Sequence, residues 1–294
     1  MGDLTVAGAG VPIAVRDLGG PGSPVSPAPA ASPAPVRSAT AAPVLLLHGA
    51  GGELAQMEAL AEGLRPDHRV LSVDLRGHGR SGDGPWTMAA VLADIDAVVG
   101  ELALGAPAIV GWSLGGMVAT EWARRHPECP GAVSLDGVPA PVRPEQLAGM
   151  APERADAELT RLHAAFTAMT APGAGGPARP GPGTVADIRL AMNSFDLAPA
   201  LRATRCPLLL VLATEDLPVH EPFRELYAAY RLGTSARVAE AAGVTPWLRV
   251  VELAGADHAM VVRQPARVAA LVRAWLADPS AERPGDPTGP WVTR

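Results

Sequence analysis

The chain contains no lysine: all 24 of its basic residues are arginine. That absence excludes a Schiff-base lysine and the phosphate-contacting lysine of a P-loop. Only two cysteines, Cys129 and Cys206, occur among 294 residues. Two thiols make no disulfide framework and cannot build a cysteine-rich zinc site. His, Asp and Glu show no HExxH or comparable spacing, so no metal is expected, and no cofactor is required. No apolar run approaches the ~18 residues of a membrane span, and the first residues lack the basic and apolar stretches of a secretory signal. The expectation is a soluble cytoplasmic protein. The net charge is −6 with a pI of about 5.6, and no basic run stands out. Neither nucleic acid nor an anionic membrane surface is expected as a partner.

What is present is a large apolar fraction, 48% of 294 residues. That suffices for a sizeable core, and such a core often forms one domain with insertions. Residues 4–17 read as a β-hairpin with glycine-containing turns. Residues 20–43 are rich in Pro, Ala and Ser without apolar periodicity and read as a flexible insertion. Strand and helix then alternate: strands at Val44–Leu47, Arg69–Val73, Ala108–Gly111 and Ala132–Leu135, helices at Glu53–Leu64, Met88–Glu101 and Leu114–Arg125. Such alternation predicts an α/β fold with a doubly wound, mostly parallel sheet. The pattern breaks over 139–205, where Pro152–Thr170 is helical with Leu159, Leu162, Phe166 and Met169 on one face. A loose Gly/Pro stretch follows at 171–183. Strands resume at Pro207–Ala213 and Trp247–Leu253, a helix follows at Pro265–Ala277, and 278–294 read as a disordered tail. There are no internal repeats.

The chemistry centres on Gly111-Trp112-Ser113-Leu114-Gly115. It follows an apolar strand and opens a helix, the context of a nucleophile elbow. Glycines two residues either side let the sharp turn close without Cβ clashes. With 32 glycines in the chain, the pattern would arise by chance roughly 0.13 times per chain, so its context matters as much as the motif. A serine hydroxyl needs a base. Of seven histidines, His258 in GADHAM lies after the last strand, where an open sheet places catalytic groups. The base needs an orienting acid. Asp216, at the exit of strand Pro207–Ala213, is the choice; Glu215 beside it and Asp136 in SLDG after an earlier strand are its rivals. The backbone N–H groups of Leu114 and of Ala50, in the HGAGG segment, are the candidate oxyanion donors. The DLRGHGRSG loop, residues 74–82, reads as a loop held by charge pairing, and His48 reads as structural.

Taken together, HGAGG, DLRGHGRSG, GWSLGG, ATED and GADH resemble the α/β-hydrolase fold proteins, in particular the short-cap esterase and perhydrolase branch. The GWSLGG string is similar to that of the pimeloyl-carrier-protein methyl ester esterases. The resemblance covers 1–138 and 206–277. It implies an α/β-hydrolase core over those residues and a helical cap over 139–205. It implies Ser113 as nucleophile, Asp216 as acid and His258 as base, with Ala50 and Leu114 as oxyanion donors and Trp112 flanking the acyl pocket. Haloalkane dehalogenases and epoxide hydrolases resemble it less, since they carry Asp where this chain has Ser113. The implied activity is hydrolysis of a carboxylic ester, or a related acyl bond, of a small and mostly apolar molecule. From its residues alone, the apolar stripe of 152–170 that carries Phe166 and Met169 reads as cap core first and as substrate wall second. Lactone, thioester or carbon–carbon bond hydrolysis, perhydrolysis, a cofactor-free non-hydrolytic reaction and small-molecule binding without turnover remain open, as does the oligomeric state.

Overall fold

The computed structural model describes residues 2–23, 41–169 and 179–279. The expected flexible stretch at 20–43 and the expected tail at 278–294 fall mostly outside them.

Short, mostly apolar segments dominate the middle of the chain, and a parallel sheet covered on both faces is where such segments go. Among the described residues eight strands are formed: β1 (Gly2–Ala7), β2 (Pro12–Gly19), β3 (Val44–Leu47), β4 (Val70–Val73), β5 (Ala108–Trp112), β6 (Ala132–Leu135), β7 (Leu208–Ala213) and β8 (Leu248–Leu253). They build one sheet in the order β1-β2-β4-β3-β5-β6-β7-β8. The β1–β2 and β2–β4 pairs are antiparallel and the remaining pairs parallel. Every residue of β3, β4 and β6 is buried.

The side-chain period of two sorts these residues onto two faces. Leu45, Leu47, Ile109, Leu208, Leu210 and Leu212 join one core cluster. Val44, Leu46, Val110, Leu209 and Val211 join the cluster on the other face. The first face is covered by α2 (Met88–Glu101) and α3 (Leu114–Arg125), the second by α1 (Glu58–Leu64) and, late in the chain, by Pro265–Ala277. This is the doubly wound arrangement the alternation predicts.

Between β6 and β7 lie α4 (Pro152–Met169), α5 (Pro182–Ser194) and α6 (Leu197–Arg202). α4 buries Ala155, Leu159 and Leu162 in a separate small cluster, whereas α6 buries Leu197, Ala200 and Leu201 in the large core with α3. Between β7 and β8 runs a helix without counterpart in the sequence reading, α7 (Arg224–Val244). Its inward face holds Ala229, Gly233, Thr234 and Ala241 beside Leu226 and Tyr230, too weakly apolar to stand out as a stripe. Gly233 is required there, since a Cβ would sit 2.2 Å from the Gln146 carbonyl oxygen. After β8 come the short α8 (Met260–Arg263) and α9 (Pro265–Ala277). No helix among the described residues is long and apolar enough to cross a membrane.

Candidate active site

The turn from β5 into α3 places Ser113 at the carboxyl edge of the sheet with φ 55° and ψ −116°. A non-glycine residue holds such a conformation only when its surroundings over-determine it. Here the Ser113 amide donates to the Leu135 carbonyl at 2.9 Å and the Gly115 amide to the His48 carbonyl at 3.2 Å. The flanking glycines are a steric necessity: a Cβ on Gly111 would lie 1.9 Å from the Gly115 oxygen, and one on Gly115 would lie 2.3 Å from the Leu47 oxygen. Leu114 is the first residue of α3, so its N–H has no acceptor within the helix.

His258 lies between β8 and α8. Its Nε2 is 2.9 Å from Ser113 Oγ and its Nδ1 is 2.6 Å from Asp136 Oδ2. Asp136 directly follows β6, at φ 49°. Its amide donates to the Val211 carbonyl at 2.7 Å, and its Oδ1 accepts from the Ala213 amide at 2.9 Å. A carboxylate can only accept, so His258 carries its proton on Nδ1 and offers a bare Nε2 to the serine hydroxyl.

This corrects the choice of acid. Asp216 does not reach His258; it forms an ion pair with Arg231 of α7 and lies 3.8 Å from His220 Nδ1. Glu215 holds the Ala256 carbonyl through its backbone amide at 3.0 Å. The physical reason is sheet order. β6 is the direct neighbour of β5, with Trp112 in register with Leu135, so Asp136 leaves the sheet beside Ser113. β7 lies one strand further out.

The three residues open into a cavity of about 590 Å³ that Ala50 also lines. Its apolar wall includes Val138, Leu162, Phe166, Met192, Leu212 and Phe223; the β7 exit and α7 contribute Thr214, Asp216, Tyr227 and Arg231. His220 stacks on Tyr227 with ring centroids 3.9 Å apart. Burial lowers the proton affinity of His220 and pushes the Tyr227 phenol up to about 12, so both are neutral near pH 7. Among the described residues, no group of three or more His, Cys, Asp or Glu is placed to hold a metal ion.

A serine, histidine and carboxylate joined above the carboxyl edge of a sheet occur on more than one fold, and it is a sequence profile, matching residues 44–271, that decides the family. The chain belongs to the alpha/beta hydrolase family. It is 43% identical over 86 residues to a pimeloyl-[acyl-carrier protein] methyl ester esterase of Chromobacterium violaceum, a match covering 29% of this chain and 32% of that protein. The chain thus spans about a third of the length of that curated relative. In fold it is similar to an enol-lactonase from Burkholderia xenovorans, with TM-score 0.63, 20% identity and coverage of 94% of this chain and 100% of that one. It is also similar to a thermophilic esterase from Thermogutta terrifontis, with TM-score 0.62, 23% identity and coverage of 96% and 100%.

Within this alpha/beta hydrolase family chain, the other expected positions divide. Phe166 lines the cavity. Trp112 does not: its indole N–H donates to the His258 carbonyl at 2.7 Å, so it braces the histidine loop instead of flanking the pocket. The Met169 side chain lies outside the described residues. The 74–82 loop is pinned by a buried ion pair, Arg76 with Asp94 at 2.7 Å. Its Asp74 accepts the Leu54 and Arg80 amides at 2.7 and 2.9 Å.

Proposed function

We propose that this protein hydrolyses a carboxylic ester, or a related acyl bond, of a small and mostly apolar molecule. The observation that carries the reading is the hydrogen-bonded chain Asp136–His258–Ser113, at 2.6 and 2.9 Å. In this mechanism His258 takes the hydroxyl proton as Ser113 attacks the carbonyl carbon. The N–H groups of Ala50 and Leu114 receive the developing oxyanion, each contributing about 3 kcal/mol to the transition state. His258 next protonates the leaving alcohol, then draws a proton from water as it attacks the acyl-enzyme and returns that proton to Ser113 Oγ as the acyl–oxygen bond breaks and the carboxylic acid leaves. Asp136 holds the productive tautomer throughout and stabilises the transient imidazolium. The mostly apolar cavity wall, to which α4 and α5 contribute Phe166 and Met192, supports an apolar acyl or alkyl group. We read α4 and α5 as the cap that shields the acyl-enzyme from water.

The test is steady-state hydrolysis of p-nitrophenyl esters of graded acyl length, with a lactone and a thioester in parallel. The proposal expects saturable ester turnover that Ser113→Ala abolishes. Undiminished turnover in that variant overturns it.

A further inference from the structure

The segment Gly49-Ala50-Gly51-Gly52 carries the proposed oxyanion donor, yet three of its four residues are glycine. Such a segment gains no rigidity from its own side chains. Two buried imidazoles supply it. His48 leaves β3 and His78 sits in the loop after β4; both are fully buried. Their ring centroids are 5.0 Å apart and tilted by 58°. His48 Nδ1 lies 2.7 Å from the Gly49 carbonyl oxygen, and the Leu75 amide donates to its Nε2 at 3.1 Å. His78 Nδ1 lies 3.0 Å from the Arg76 carbonyl oxygen, and the Gly51 amide donates to its Nε2 at 3.2 Å.

The partners dictate the protonation. A carbonyl can only accept and an amide N–H can only donate. Each ring is therefore neutral, with its proton on Nδ1 and a bare Nε2. Burial opposes charge on both rings; for His78 the nearby Asp74 carboxylate works against that and Arg179 works with it.

Peptide geometry turns these bonds into aim. The Gly49 carbonyl and the Ala50 N–H belong to one trans peptide unit, so they point in opposite directions. His48 pulls that carbonyl into the protein interior, and the N–H on the opposite side faces outward. The Gly49 oxygen also accepts the Gly52 amide at 3.0 Å, which closes the turn. His78 fixes the following peptide plane through Gly51, at φ 71°. The two planes on either side of the Ala50 Cα are thus both clamped.

We propose that His48 and His78 form an imidazole clamp that aims the Ala50 N–H into the cavity as an oxyanion donor, making both of them positioning residues. This rests on the reading of Ala50 given above. Because oxyanion stabilisation acts on the transition state, loosening the clamp lowers kcat and leaves KM nearly unchanged.

The experiment uses a crossed pair of substitutions. The Asn side-chain amide occupies roughly the place of an imidazole Nδ1, and that of Gln the place of Nε2. His48→Asn therefore keeps a donor for Gly49 and His48→Gln loses it. His78→Gln keeps an acceptor for Gly51 and His78→Asn loses it. The clamp predicts that His48→Gln and His78→Asn fall at least about tenfold in kcat below their counterparts, since small misplacements of catalytic groups are costly. KM stays within about threefold. A general packing defect would rank Asn and Gln alike at both positions. Equal kcat within each pair, with Ser113→Ala still inactive, overturns the clamp and leaves the esterase reading standing. Full turnover in Ser113→Ala overturns the esterase reading itself. Should the variants not fold, long-range proton–nitrogen NMR of the wild type reads both tautomers directly. Neutral Nδ1–H rings at pH 7 support the clamp, and an Nε2–H or charged ring at either position overturns it.

Discussion

Replacing Asp136 by Asn tests the corrected acid with little structural disturbance. Asn tolerates the positive φ of 49° that this position requires. Its carbonyl oxygen can still accept the Ala213 amide, which Asp136 Oδ1 now does at 2.9 Å. What changes is the other side. The Asn NH2 group would face His258 Nδ1, where a carboxylate oxygen now lies at 2.6 Å. A donor there favours a bare Nδ1 and moves the ring proton to Nε2, the atom 2.9 Å from Ser113 Oγ. The imidazole then cannot accept the serine proton. Loss of the correct tautomer in a triad costs about 10,000-fold in kcat, or about 5 kcal/mol of activation free energy. Asp216→Asn, by contrast, weakens a half-exposed pair with Arg231 away from His258 and should change kcat less than about tenfold. The assay is kcat on a p-nitrophenyl ester for both variants, with thermal melts to show that both fold. A folded Asp136→Asn retaining more than a tenth of wild-type kcat, or an equal loss in Asp216→Asn, would refute the assignment.

Two further outcomes follow from buried groups. Arg76→Met should destabilise the fold by about 3–5 kcal/mol in urea melts, because it strands Asp94, whose side chain is 5% exposed; a loss below about 1 kcal/mol would contradict the buried-pair account. His48 is held neutral: burial, then the neighbouring His78, push its pKa down to about 3 from the ordinary 6.5. Since the unfolded chain takes up a proton below about pH 6.5 and the folded one does not, stability falls with pH, by about 2 kcal/mol between pH 7 and 5 from this group alone. His48→Asn should lose that part of the slope, and melts that fall equally steeply in variant and wild type would contradict it.

Much of the sheet is legible in the sequence because its parallel strands are short, mostly apolar and separated by helices. β3, β6, α2, α3 and α9 begin and end where their apolar patterns do. The elbow is legible for a steric reason, since Gly111 and Gly115 are the residues whose Cβ atoms would collide with the turn. α7 is not legible, because Ala229, Gly233, Thr234 and Ala241 interrupt the apolar stripe of its inward face and acquire meaning only against Gln146 and its other neighbours. The missed helix bears on the misassigned acid. Asp136 and Asp216 both follow apolar strands and both line the cavity, so strand exits alone do not separate them. What separates them is Arg231, carried on α7, which engages Asp216, together with the adjacency of β5 and β6. His48 and His78 likewise look ordinary in sequence. Their part in shaping the site emerges only when β3 and β4 bring them together beneath the glycine-rich loop.

The most direct test of the account is the intact mass of the protein after exposure to a serine-directed fluorophosphonate, with Ser113→Ala alongside. The account predicts one adduct on the wild type and none on the variant. A folded wild type that takes up no probe, or a variant labelled as fully as the wild type, would contradict it.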